Sequence, residues 1–279
     1  MSASPPRHRL SSVVTRLRAA GCVFAEDEAR LLVSTARTPA DLDAMVDRRV
    51  AGLPLEHVLG WAEFCGLRVA VDPGVFVPRR RTEFLVRQAA ALTRPGAVVV
   101  DLCCGSGAVG VALAAALGRV ELHAADIDPT AVWCARRNVT AAGGRVYEGD
   151  LYEPLPAALR GRVDVLVANA PYVPTEAIGL LPPEARVHEP RVALDGGADG
   201  LDVQRRVAAA APLWLAPGGH LLIETSERQA PRTVEVFARN GLITRVTGSG
   251  ELYATVVIGA RPADSGPPEV ASPVSERGD

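Results

Sequence analysis

The 279-residue sequence contains no lysine, and all 30 of its basic residues are arginine. Alongside the abundant alanine, this reads as a trace of GC-rich coding. The arginines are spread along the chain and build no basic tract of the kind that grips a polyanion. Against 32 acidic residues they leave a formal net charge of -2, which gives no general attraction to nucleic acid or to membranes. Cysteine is scarce and odd in number, at Cys22, Cys65, Cys103, Cys104 and Cys134. That set, without metal-ligand spacing, argues against a disulfide scaffold and a zinc site, and no metal is expected. The adjacent Cys103 and Cys104 read as small packing residues rather than as a vicinal disulfide. Long apolar runs are missing too. Ala108–Leu117 falls well short of a membrane span, and the start around Pro5, Pro6, Arg7 and His8 lacks the apolar core of a signal peptide. The expected location is the cytoplasm. What is present in ordinary measure is apolar content, 48% against 22% charged, in a chain long enough for one large domain or two smaller ones.

Apolar residues recur at helical spacing over Ser11–Ala20, Glu26–Ala36 and Ala40–Val50, with breaks at Gly21 and Pro39. Between Gly60 and Pro78 the texture changes. Leu67–Val71 alternates, and Asp72, Pro73 and Gly74 turn the chain, so a hairpin is expected. From Arg80 onward strands and helices alternate. The expected strands are Ala97–Leu102, Val120–Ala125, Val163–Ala168 and His220–Thr225. The expected helices are Gly107–Leu117, Pro129–Ala141, Leu201–Trp214 and Pro231–Asn240. Ile243–Thr247 and Tyr253–Ile258 suggest an antiparallel edge. The alternation predicts an α/β domain with a doubly wound, mostly parallel sheet. The expected plan is a helical domain over 1–58, a hairpin linker over 59–79, the α/β domain over 80–260, and a disordered tail over 261–279. Trp61, Trp133 and Trp214 read as core or domain-interface residues.

Ligands of such sheets sit beyond the carboxyl ends of the strands, where the strand order reverses. The first strand ends in Asp101-Leu102-Cys103-Cys104-Gly105-Ser106-Gly107 and enters a helix, and the two glycines allow a tight turn and a close ligand. Asp126, ending the next strand 21 residues after Gly105, stands where a carboxylate takes ribose hydroxyls. The run Gly105–Gly110 also fits the dinucleotide pattern formally. However, Asp101 before the loop suits an ammonium group better than a pyrophosphate. Asp150, in Gly149-Asp150-Leu151 ahead of the Val163–Ala168 strand, adds a further acceptor. Acids in these three places resemble the S-adenosylmethionine pattern of class I methyltransferases, a Rossmann-like fold with a seven-stranded, mostly parallel sheet.

The strand Val163–Ala168 ends in Asn169-Ala170-Pro171-Tyr172. An amide or exocyclic amine is a poor nucleophile because its lone pair is delocalised. The Asn169 side-chain oxygen and the Ala170 carbonyl can accept its two N–H groups and aim the lone pair, while Tyr172 can stack on the planar group. This stretch is similar to the Asn-Pro-Pro-Tyr motif of amino-group methyltransferases. Its surroundings resemble the release-factor glutamine methyltransferases (the HemK/PrmC family). They are Pro54–Gly60, Phe76-Val77-Pro78-Arg79 with Thr82-Glu83, Asp101–Gly107, Gly149-Asp150-Leu151, and the run from His188-Glu189-Pro190 through Asp195-Gly196-Gly197 to Leu201.

The resemblance implies an S-adenosylmethionine-dependent methyltransferase with a helical N-terminal domain that recognises a protein partner. The implied substrate is the Gly-Gly-Gln glutamine of release factors. It places Asp101, Cys103, Cys104, Gly105, Ser106, Gly107, Asp126, Ile127, Asp150, Leu151 and Asn169 around the cofactor. Asn169, Ala170, Pro171 and Tyr172 hold the glutamine, and Phe76 and Pro78 close over the reacting methyl group. Cys103 stands where the family has its first loop glycine, and Ala170 where it has the first proline of the motif. Ala170 keeps the carbonyl and, standing before Pro171, the extended bias. Two other readings stay open on the residues alone. One is an adenine-N6 or cytosine-N4 methyltransferase, which must flip a base. The other is a module that binds cofactor without turnover. His188 reads as a polar loop residue and Asp195-Gly196-Gly197 as a structural turn.

Overall fold

The structure, a computed structural model, describes residues 6–263. The tail expected to be disordered lies outside the described residues from 264 onward. Four helices come first: α1 (Pro6–Ala19), α2 (Ala25–Thr35), α3 (Pro39–Val50) and α4 (Leu55–Leu59). Thr38 starts α3 by accepting the Asp41 N–H at 3.1 Å, with Pro39 in the first turn where its missing N–H costs nothing. These helices close around their own core, including Leu17, Leu32, Met45 and Val46. Arg49 ties this unit to the rest. It donates Nε to Glu28 at 2.7 Å and Nη1 to Glu184 at 2.6 Å, and its side chain is largely buried.

A hairpin follows, β1 (Trp61–Phe64) and β2 (Leu67–Ala70), with Cys65 and Gly66 both at positive φ in its tight turn. Then come α5 (Glu83–Ala91), β3 (Val98–Leu102), α6 (Ala108–Leu117), β4 (Glu121–Asp126), α7 (Pro129–Ala141), β5 (Arg145–Glu148) and β6 (Val163–Ala168). The chain continues with α8 (Pro183–His188), α9 (Asp202–Trp214), β7 (Leu215–Thr225), α10 (Ala230–Arg239), β8 (Ile243–Ser249) and β9 (Ala254–Ala260). The seven strands run in the order β5-β4-β3-β6-β7-β9-β8. β3 to β7 pair in parallel, and β9 inserts antiparallel between β7 and β8. The expected seven-stranded class I sheet is therefore present. Its order reverses between β3 and β6, which puts the two loops of interest side by side.

β3 is buried at all five positions, as a central strand covered by helices on both faces must be. One side packs α5 and α6 through Leu85, Val109 and Leu113. The other packs Val207, Ala211 and Trp214 of α9 and Phe237 of α10. Trp214 is thus core, whereas Trp133 is not. Trp133 lies on the outer face of α7 and is 66% exposed, so its apolar neighbours Val132 and Cys134 misplaced it by one helical step. All five cysteines are free. Among the described residues no helix is long and apolar enough to cross a membrane.

Candidate functional site: two cavities that meet at Asn169

The loop after β3 is held from both sides. Gly105 donates its N–H to Asp126 Oδ2 at 2.8 Å, and the Asp128 N–H takes Oδ1 at 3.0 Å, so both oxygens of the β4 carboxylate are oriented by backbone. Asn138 of α7 donates to the Ser106 carbonyl at 2.8 Å and also bonds both backbone groups of Ala70, fastening the hairpin to the same loop. The three glycines of the run have distinct jobs. A Cβ on Gly105 meets no protein atom within 4 Å, so that position faces open space, at φ +55. A Cβ on Gly107 would stand 2.6 Å from Val139, and one on Gly110 3.1 Å from Asp101 Oδ2, so these two serve packing.

Beyond these strand ends lies a cavity lined by Asp101, Cys103, Cys104, Gly105, Ser106, Asp126, Ile127, Asp150, Leu151, Asn169 and Pro171, with Phe76 and Pro78 across from them. Gly107 is absent from its lining. Cys103 and Leu151 both adopt left-handed backbone, φ 54 and 51. That conformation costs a residue with a Cβ about 1–2 kcal/mol, so two strained residues line one cavity. Asp101 is buried and takes the Gly110 N–H at 2.8 Å. Burial pushes its carboxyl up to about 7, with that N–H pulling the other way and Asp126 adding to the rise. Burial also raises Asp126, against the N–H groups of Asp128 and Gly105. The thiols of Cys103 and Cys104 are raised well above their ordinary value by burial and by the neighbouring carboxylates, which keeps them protonated and inert.

A second cavity adjoins the first. Phe76, Asn169 and Ala193 line both, while Ala170, Tyr172, Arg79, Arg81, Glu184 and Glu189 line the second alone. The loop after β6 is braced from behind. Val173 forms a parallel bridge to Asp195, Val173 N–H donates to the Leu194 carbonyl at 3.0 Å, and Gly196 N–H returns to the Val173 carbonyl at 2.9 Å. A Cβ on Gly196 would sit 2.7 Å from the Pro171 carbonyl, and one on Gly200 2.3 Å from that of Tyr172. This is why the Asp-Gly-Gly run accompanies the Asn-x-Pro-Tyr stretch, and it bears out the structural reading of those glycines. Gln229 adds a bond to the Tyr172 carbonyl at 2.9 Å.

Residues 66–181 match the model of the family described as Methyltransferase small domain. The release factor glutamine methyltransferase of Geobacter sulfurreducens is 41% identical over 219 residues, which cover 78% of this chain and 76% of that protein. Its counterpart in Mycolicibacterium smegmatis is 39% identical over 231 residues, 81% of this chain and 82% of the relative. The chain belongs to the release factor glutamine methyltransferase family. A methyltransferase structure from Pyrococcus furiosus shares the fold, with a TM-score of 0.54 at 17% identity over 71% of this chain and 90% of that one.

The enzyme is a methyltransferase and its cofactor is S-adenosylmethionine. The first cavity fits that molecule. It offers open space over Gly105, apolar walls, a buried carboxylate at Asp101 to face a cation and a partly exposed one at Asp126 to face a ribose.

Several residues at these two cavities carried no signal in the sequence. Arg206 of α9 lines the first cavity and donates to Asp150 at 2.6 Å, occupying one oxygen of the carboxylate expected at the adenine edge. Glu224, buried at the end of β7, accepts Arg81 Nε at 3.1 Å, and Arg81 Nη2 donates to the Tyr172 hydroxyl at 2.5 Å. Burial and Glu224 lift the Tyr172 phenol to about 12. Each of these contacts spans more than fifty residues of chain, so no local spacing announces it.

Proposed function

We propose that the enzyme transfers the methyl group of S-adenosylmethionine to the side-chain nitrogen of the glutamine in the Gly-Gly-Gln loop of a peptide chain release factor, in the cytoplasm. The observation that carries this reading is the position of Asn169, whose side chain borders the cofactor cavity and the second cavity at once. The bound cofactor supplies a methyl group already activated on a sulfonium. The chain's own residues therefore need only bind, orient and exclude water. Asn169 accepts one N–H of the substrate amide through its side-chain oxygen, and the Ala170 carbonyl accepts the other, so the nitrogen lone pair points at the methyl carbon. Asp101, Asp126 and the Cys103–Gly107 loop would hold the cofactor at the first cavity while it gives up that methyl to the nitrogen and leaves as a neutral thioether. The nitrogen would carry a positive charge after the transfer, and that charge makes its proton acidic enough to leave to solvent without a dedicated base. Phe76 and Pro78 wall the junction against water.

The reading also assigns the helical unit of α1–α4 to partner recognition. Pro54 and Glu56 border the second cavity, and Arg49 joins that unit to Glu184, which lines the same cavity. The test is methyl transfer from labelled S-adenosylmethionine to purified release factors, with the Gly-Gly-Gln glutamine replaced in a control. Labelling that requires the glutamine supports the proposal. Labelling of the control, or of DNA instead, overturns it.

A further inference from the structure

Among the described residues, Phe76 is the one aromatic residue bordering both cavities, and it stands at the end of a chain of two contacts. The Arg79 guanidinium stands over the Phe76 ring, 4.9 Å from its centroid. Arg79 in turn donates Nη2 to Glu189 Oε1 at 2.6 Å, and the same oxygen takes the Val77 N–H at 3.1 Å. Glu189 lies 112 residues away in sequence from Val77, and its side chain is 1% exposed. Its second oxygen, Oε2, is buried with no hydrogen-bond partner. Burial raises the carboxyl, while Arg79 and the Val77 N–H lower it.

A carboxylate sunk this far is costly, and leaving one oxygen unmatched adds to the cost. A turn that needed only an anchor for one N–H could use a neutral acceptor. The charge is accounted for if its work is to hold the arginine. We propose that Glu189 is a positioning residue, which acts through Arg79 to fix the Phe76 ring as the wall common to the cofactor seat and the substrate seat. The carboxylate sets the guanidinium, the guanidinium sets the ring, and the ring sets how deeply each reactant approaches the junction at Asn169. This role rests on the assignment of the first cavity to S-adenosylmethionine and of the second to the protein substrate, but it can be read on the cofactor alone.

The experiment is a double-mutant cycle with Glu189→Gln, Arg79→Gln and the pair together. Gln at 189 keeps an acceptor for Val77 and removes the charge that grips Arg79. Affinity for S-adenosylmethionine, measured by calorimetry, should weaken about 2- to 5-fold in either single variant, the size of a lost cation–π contact. The double variant should match the singles within about 2-fold, because the two residues act in series. With a release factor as substrate, kcat/KM should fall about 10- to 100-fold, as misplacement of a wall by about 1 Å does. If Glu189→Gln does not fold, the cycle of Arg79→Gln with Phe76→Leu reads the same relay without touching the buried acid. Penalties that multiply in the double variant, or single variants with unchanged cofactor affinity, overturn the relay. Wild-type enzyme that binds cofactor but never labels a release factor overturns the substrate reading, while the cofactor cycle still decides the relay.

Discussion

Asp126 and Gly105 are joined by a hydrogen bond of 2.8 Å that runs from the loop after β3 to the carboxyl end of β4. Because the Asp128 N–H holds the other oxygen, the carboxylate is oriented from both sides, and its remaining lone pairs are free toward the first cavity. Pre-aimed acceptors bind without the cost of ordering a free side chain.

Replacing Asp126 by Ala should therefore weaken S-adenosylmethionine binding by about 1.5–3 kcal/mol, the range for hydrogen bonds to a charged group. That corresponds to about 10- to 100-fold in Kd, read by calorimetry, with turnover at saturating cofactor much less affected. Unchanged affinity would remove Asp126 from the cofactor seat.

Asn169→Ala should do the reverse. Removing one positioned hydrogen-bond partner at the reacting group costs about 10²–10³ in rate, and cofactor affinity should stay nearly constant. Single-turnover methyl transfer to a release factor measures it. Near wild-type turnover would take the side-chain oxygen out of the reaction.

Asp101 carries a prediction about pH. Its carboxyl is raised by burial to about 7 in the folded protein, against about 3.9 in an unfolded chain. Between those values the folded state holds the extra proton, so stability falls as pH rises through that window. A cationic ligand reverses the preference, since it favours the ionised acid. Affinity for S-adenosylmethionine should rise from pH 6 to pH 8, and Asp101→Asn should flatten that rise. Superimposable pH profiles for the two proteins would defeat the assignment.

Ala170→Pro tests the departure in the motif. Among the described residues, no turn, loop or cap hydrogen bond uses the Ala170 N–H, and the acceptor assigned there is the carbonyl that proline keeps. The substitution should retain methylation within about 3-fold. It should also raise stability by about 0.4–1 kcal/mol, through a less free unfolded chain. A tenfold loss of turnover would show that the loop needs the mobility alanine allows.

These residues also mark how far the sequence could be read. β3, β6 and the Asp101–Gly107 loop were legible because their signals are local: an apolar run, a turn, an acid at a fixed offset. Asn169–Tyr172 stood out in the sequence because its side chains suit the proposed chemistry. Gly107 was grouped with the cofactor loop, yet its lack of a Cβ serves contact with Val139 and it does not line the cavity. Trp133 failed because apolar neighbours one residue away on a helix point in different directions. The short helices and turns between Thr175 and Ala193 were missed, since that segment has no sustained apolar period. Glu189, Glu224, Asn138 and Arg206 act across long sequence separations, and only the fold brings them to the site.

The bracing of Pro171–Tyr172 by residues 194–200 has a consequence in time. Loops are ordinarily the first parts of a domain to exchange their amide hydrogens, because they open locally at little cost. Here the N–H groups of Val173, Thr175, Gly196 and Asp202 are all donated within one small knot, to Leu194, Gly197, Val173 and Gly196. None can open without disturbing the others. In deuterium these four amides should exchange slowly and together, as a patch of sheet does. The stretch proposed to present the substrate acceptors would then keep its shape from one catalytic cycle to the next and not reform for every substrate.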